Sequence, residues 1–152
     1  MVIQIDSREK AKAIKKILAE FDKQGIKHPV SKLFVGDYQN FDNPRLVVDR
    51  KQNLSEVCSN VCQDHERFRR ELQRANDNEI KVVFLVEHGT DVKELEDVIF
   101  WENPRLKKSP KAMTGEVLYR ILSTIERKYD TKFVFCTKEE TGKKIIEILS
   151  GD

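Results

Sequence analysis

The chain has 152 residues, 39% hydrophobic and 36% charged, with 28 basic against 26 acidic side chains and a net charge of +2. That length supports one packed domain without disulfides or a structural metal, so residues 1–152 are expected to form a single unit. No run of eighteen apolar residues exists, which excludes a membrane-spanning helix, and an odd set of cysteines (Cys58, Cys62, Cys136) makes no disulfide framework.

The opening Met-Val-Ile-Gln-Ile-Asp lacks a charged segment followed by an apolar one, so no leader peptide is expected and a reducing cytoplasm is the expected location. Residues 2–5 read as a short strand, ending at Asp6-Ser7. Asp6 or Ser7 is expected to cap the next helix, where Ile14, Ile17, Leu18 and Phe21 recur at helical spacing until Gln24-Gly25 closes it. Strands over 32–40 and 45–51 flank the turn-rich Asp42-Asn43-Pro44 and predict a hairpin. Over 53–75 the apolar residues Leu54, Val57, Cys58, Val61, Phe68, Leu72 and Ala75 form one stripe, which predicts a single long helix. The apolar run 80–86 predicts a central strand covered on both faces. Phe100-Trp101 is expected to dock on the core, ahead of a basic loop. A helix over 115–129, a strand over 132–136 and a helix over 141–149 complete the order β-α-β-β-α-β-α-β-α. A hairpin inside an alternating pattern predicts an α/β fold with a central mixed sheet flanked by helices.

Asp49 and Lys51 lie two apart on a predicted strand, so they share a face while Arg50 points the other way. A turn centred on Asn43 sets Asp37 directly across from Asp49. Facing carboxylates are unfavourable unless a cation lies between them, and hard oxygen donors suit Mg²⁺ or Mn²⁺. Asp6, ending the first strand, is in position to approach as a third acid. Such a cluster fits phosphodiester hydrolysis. Asp37 and Asp49 hold an ion that polarises the phosphate, and Lys51 neutralises charge growing in the transition state. Gly36 lets a nucleic-acid backbone come close.

These residues carry a resemblance. Ile5-Asp6-Ser7-Arg8-Glu9, Val35-Gly36-Asp37-Tyr38 and Val47-Val48-Asp49-Arg50-Lys51 resemble, in order, the motifs of the XPF-type structure-specific endonuclease domain. That family is a branch of the PD-(D/E)xK, restriction-endonuclease-like superfamily. The resemblance covers nearly the whole chain and implies a restriction-endonuclease-like fold and a metal-dependent DNA endonuclease acting on branched or flapped DNA, in repair or recombination. It also implies metal binding by Asp37 and Asp49, catalysis by Lys51, a match of Asp6 to the family's first acid, and supporting roles for Arg8, Glu9 and Arg50. Arg67 matches a family arginine on the helix after the motif and is a candidate phosphate contact. Domains of this kind commonly dimerise, so a homodimer is expected, its partner docking near the helix that begins at Gly115. Asp49 departs from the family's usual Glu. Ser55 stands where the family has a further Asp, with Glu56 adjacent. The sequence closes at Asp152 without a tandem helix-hairpin-helix module, the expectation for a stand-alone bacterial or phage form. The rival reading, drawn from Ser55, is a catalytically silent DNA-binding or scaffolding subunit; action on RNA is a third.

Charge clusters at Arg67, Arg69, Arg70 and Arg74, and at Arg105, Lys107, Lys108 and Lys111. Arg67, Arg70, Lys107, Lys108 and Lys111 are candidate DNA contacts. Glu66 and Glu71 offer the arginines intrahelical partners instead. Cys58 and Cys62 fall on the apolar stripe, where thiols act as small hydrophobes, and no Cys-x-x-Cys knuckle supports zinc.

Overall fold

A computed structural model describes residues 1–151. The strands are β1 (Ile3–Asp6), β2 (Val30–Ser31), β3 (Tyr38–Asn40), β4 (Asn43–Lys51), β5 (Lys81–Glu87) and β6 (Thr131–Cys136). The helices are α1 (Lys15–Lys23), α2 (Leu54–Cys62), α3 (His65–Asp77), α4 (Gly115–Lys128) and α5 (Thr141–Ser150), with 3-10 turns at Leu95–Phe100 and Pro104–Lys107. The strands form one mixed sheet in the order β2-β1-β3-β4-β5-β6. β3 is antiparallel to both β1 and β4, whereas β4, β5 and β6 run parallel.

Side-chain alternation along β4 sorts the core into two layers. Val47 faces a cluster with Leu54 and Val57 of α2, Phe68 and Leu72 of α3, and Leu118 and Leu122 of α4. Val48 faces the other, with Ile17 and Phe21 of α1 and Ile145 and Leu149 of α5. β5 is apolar on both faces because it lies between them: Phe84 and Val86 join the first layer, Leu85 the second. The period of two continues past the core, so Asp49 and Lys51 emerge on the α2–α3 side and Arg50 on the α1–α5 side.

Five expectations need correction. The stretch 32–40 is not one strand: Val30–Ser31 pairs with β1, and the chain loops before β3. The hairpin turns at Phe41-Asp42 rather than around Asn43, and a register shift between Gln39 and Asn40 absorbs the difference. Beyond that irregularity the pairing is the expected one, Tyr38 opposite Val48 and Gln39 opposite Val47. The long helix is two, broken at Gln63-Asp64; an unbroken apolar stripe does not reveal a break between turns. Neither Asp6 nor Ser7 caps α1, whose N-cap is Ile14 without a side-chain bond. Of Phe100-Trp101, only Trp101 is buried; Phe100 is 82% exposed.

Candidate active site: an acidic cleft beside β4

A cleft of about 250 Å³ opens at the end of β4, lined by residues of the 8–9 turn, the 34–37 loop, β4, α2 and α3. Its carboxylates are Glu9, Asp37, Asp49, Glu56 and Glu71, and its cations Arg8, Arg50, Lys51 and Arg74. A larger groove of about 380 Å³ between α3 and α4 is apolar and contains no carboxylate. Asp37, Asp49 and Lys51 of the sequence motifs gather in the smaller cleft.

Three bonds to the main chain fix Asp37, the first from the Asp6 N–H, which donates to the Asp37 carbonyl at 2.8 Å. The Asp37 N–H donates to the carbonyl of Val48 at 2.8 Å, and its Oδ2 accepts the N–H of Arg50 at 2.8 Å. Asp37 is thereby held against the strand that carries Asp49. Burial, then the facing Asp49 and the nearby Glu9, push the Asp37 carboxyl up to about 8. Asp49 is also raised by burial, against which Lys51 acts. Two acids with this much resistance to ionising side by side are stabilised by a cation between them.

Lys51 Nζ stands 3.3 Å from Asp49 Oδ1, which realises the shared face expected from their spacing. The amine also lies 5.7 Å from the ring centre of Phe68 and 5.8 Å from that of Phe84. Burial alone lowers its pKa, but Asp49 and Glu56 outweigh this and raise it, so the amine is an ammonium at neutral pH. An ammonium in this position can act electrostatically but cannot serve as a base.

Arg50 crosses to the opposite face. Its Nε donates to Glu9 Oε2 at 2.8 Å and its Nη1 to Glu87 Oε1 at 2.6 Å. Glu87 also accepts from Thr141 Oγ1 at 2.6 Å, and Tyr38 Oη donates to Glu9 at 2.7 Å. This buried network clamps β4 between the N-terminal turn and β5.

Asp6 does not join the carboxylate pair, a correction to the third-acid expectation. It lies outside the cleft lining. Its Oδ2 is taken by Arg8, whose Nε donates at 2.6 Å, and its Oδ1 by the N–H of Leu33 at 2.8 Å. Burial raises its pKa, but these donors outweigh it and hold the carboxyl below its usual value. Among the described residues, no three His, Cys, Asp or Glu side chains form a ready-made metal cluster. Asp37 and Asp49 with solvent and phosphate oxygens nevertheless match the way Mg²⁺ is commonly held, through one or two carboxylates.

Gly36 lines the cleft, but nucleic-acid approach is not what demands a glycine there. Its φ is +77°, and an added Cβ would sit 2.9 Å from Val47 Cγ2, on the sheet side. Ser55 turns away from the cleft toward Cys58, Cys62, Arg105 and Lys111, whereas Glu56 lines it. A carboxylate thus lines the cleft one residue on from Ser55. Glu56 Oε1 also accepts the N–H of Gln52 at 2.7 Å. Glu71 was expected to offer a partner to the arginines of its helix. It lines the cleft instead and contributes to the upward shift of Asp49. Arg67 and Arg70 are exposed and, with Glu71 and Arg74, fall on one helical face of α3, the face turned to the cleft. Arg69 pairs with Glu66 at 3.1 Å elsewhere on the helix. Lys107, Lys108 and Lys111 are exposed, and Lys111 borders the cavity beside Ser55 rather than the cleft. Sequence reasoning missed Glu87, whose charge ends an apolar strand.

A mixed sheet between helices, with an Asp and a Lys emerging from one strand beside a second Asp, defines the restriction-endonuclease-like class. The chain belongs to the ERCC4 domain family, whose match extends over residues 5–149. Among solved structures it is similar to XPF from Aeropyrum pernix (TM-score 0.68, 19% identity, covering 98% of this chain and 63% of that one). It is similar also to XPF from Aeropyrum pernix in complex with DNA (TM-score 0.68, 17% identity, the same coverage). The chain thus spans about 63% of the length of these structures. No curated protein sequence matches it.

Proposed function

We propose that the chain is a divalent-metal-dependent DNA endonuclease that hydrolyses phosphodiester bonds in branched or flapped DNA. The observation that carries this reading is the pair Asp37 and Asp49, half-buried together in one cleft with the Lys51 ammonium 3.3 Å from Asp49. The DNA complex of the similar XPF structure supports the choice of polymer.

Asp37 and Asp49 are the residues that would hold Mg²⁺ or Mn²⁺; when bound, the ion supplies Lewis-acid polarisation of the phosphate and eases deprotonation of water. The protein's own contribution is positional and electrostatic. Asp37 is oriented by the Arg50 N–H, so its remaining oxygen is directed by the backbone rather than by a mobile side chain. Lys51, kept charged by Asp49, neutralises negative charge that grows on the phosphoryl oxygens as water attacks. Arg8 and Arg74 at the rim, with Arg67 and Arg70 along α3, suit the DNA backbone. Glu56 supplies the carboxylate that Ser55 lacks, which speaks against a silent scaffold.

The reading includes a homodimer joined through the apolar groove between α3 and α4, where Phe68, Leu72, Ile121, Ile125 and Tyr129 form an unfilled surface. Three free thiols suit a reducing cytoplasm, that of a bacterial or phage-infected cell.

The test is incubation of labelled duplex, flap and four-way-junction DNA with Mg²⁺ or Mn²⁺, beside Asp49→Asn and Lys51→Ala. Metal-dependent cutting, lost in Asp49→Asn and reduced about 10²–10³-fold in Lys51→Ala, is expected. Shape-selective binding without cutting would establish the scaffold instead.

A further inference from the structure

Phe34 is 56% exposed, yet it does not dangle. The residue before it is anchored: Leu33 is buried and its N–H is held by Asp6 at 2.8 Å. The residues after it are anchored too, by the close seat of Gly36 on Val47 and by the Asp37 N–H on Val48. A pinned backbone therefore presents a large apolar ring to water at the wall of the cleft that holds Asp37 and Asp49. The Arg74 guanidinium lies 5.6 Å from the ring centre, across the mouth from α3. Two other exposed phenylalanines, Phe41 (60%) and Phe100 (82%), are outside the cleft lining. Core packing does not account for Phe34.

An aromatic face beside a phosphate-binding cleft suits a nucleobase, because every base has a π-face and stacking on protein rings is tolerant of sequence. Paired bases within a duplex have both faces covered by their neighbours. An unpaired base has a free face, and stacking it requires no unpairing. Arg74, lying over the ring, is placed to meet the phosphate of the same nucleotide.

We propose that Phe34 is a stacking subsite for an unpaired nucleobase next to the scissile phosphate, with Arg74 holding the adjoining backbone. This rests on the reading of the cleft as a DNA-cutting site and adds a physical basis for preferring branches over continuous duplex: the ring rewards a strand whose bases have already separated. The subsite is indifferent to base identity.

The test uses the full chain in EDTA with splayed-arm DNA carrying 2-aminopurine at successive positions of one unpaired arm, and with the same probe inside blunt duplex. Wild type and Phe34→Tyr are expected to quench the probe at one unpaired position; Phe34→Leu is not. Splayed-arm DNA is expected to bind Phe34→Leu about tenfold more weakly, a greater loss than blunt duplex suffers. Cleavage in Mg²⁺ or Mn²⁺ is expected to lose the same factor in kcat/KM for splayed-arm over duplex substrate. Quenching that is absent in wild type, or equal in Phe34→Leu, overturns the subsite, as does an equal loss on both DNAs. Failures are distinguishable. Cutting with quenching insensitive to Phe34 removes the subsite and leaves the endonuclease; Phe34-dependent quenching without metal-dependent cutting removes the endonuclease and leaves the subsite.

Discussion

The main-chain N–H of Arg50 points at Oδ2 of Asp37 from 2.8 Å, so the strand bearing one carboxylate of the pair also aims the other. A side chain oriented by backbone keeps its direction without an ion, and the separation of the pair is set by strand pairing rather than by rotamer choice.

Removing one charge of that pair should stabilise the protein while silencing it. Asp37→Asn preserves an acceptor for Arg50 and removes the carboxyl that burial, then repulsion from Asp49 and Glu9, raises to about 8. Melting temperature in EDTA at neutral pH is expected to rise, corresponding to about 1–2 kcal/mol, whereas the further rise expected of wild type on adding Mn²⁺ is expected to be lost. A lower melting temperature in EDTA would mean that the two acids do not strain the fold.

Truncating Arg50 should have the opposite effect. Its side chain is only 7% exposed and is shared by Glu9 and Glu87. Arg50→Ala leaves both carboxylates buried without their cation, and a loss of about 3–5 kcal/mol is expected in urea unfolding. A loss below 1 kcal/mol would show that water replaces the guanidinium.

Asp6 gives the protein an acid-sensitive joint. Its carboxyl titrates lower in the folded chain than the ordinary 3.8, because Arg8 and the Leu33 N–H outweigh its burial. The unfolded chain therefore takes up this proton first, and the stabilisation is complete above the ordinary value and declines as pH falls through the folded one. Asp6→Asn is expected to cost about 1–3 kcal/mol at pH 7 and progressively less below pH 4. An identical difference at both pH values would remove Asp6 from the acid response.

Neighbours on α2 should behave differently. Glu56 lines the cleft and Ser55 does not. Glu56→Gln is expected to lower kcat by about tenfold with little change in melting temperature, while Ser55→Ala cuts DNA like wild type. The reverse pattern would return the missing family acid to Ser55's position.

Local alternation made much of the site legible in advance. Asp49, Arg50 and Lys51 had to alternate across the sheet once 45–51 was a strand, and the hairpin pairing set Asp37 beside Asp49 even though the turn itself lies earlier. What escaped depended on distant packing. Glu71 is visible only as one acid among arginines until α3 is laid over β4. The break at Gln63-Asp64 escaped because Val61 and Phe68 are seven apart, a spacing that one continuous helix also satisfies. Asp6 matched a motif by position, but its oxygens are taken by Arg8 and Leu33, a partner that no local pattern brings to it.

The Arg50 clamp also joins segments that are made at different times. Glu9 lies 41 residues before Arg50 in the chain and Glu87 lies 37 after it. A nascent copy emerging from the ribosome carries the acids and the lysine long before the β5 end of the clamp has been made. Until Glu87 arrives, the Arg50 side chain lacks one of its two carboxylate partners. The cleft's side chains can therefore take their observed spacing only after residue 87 has been made.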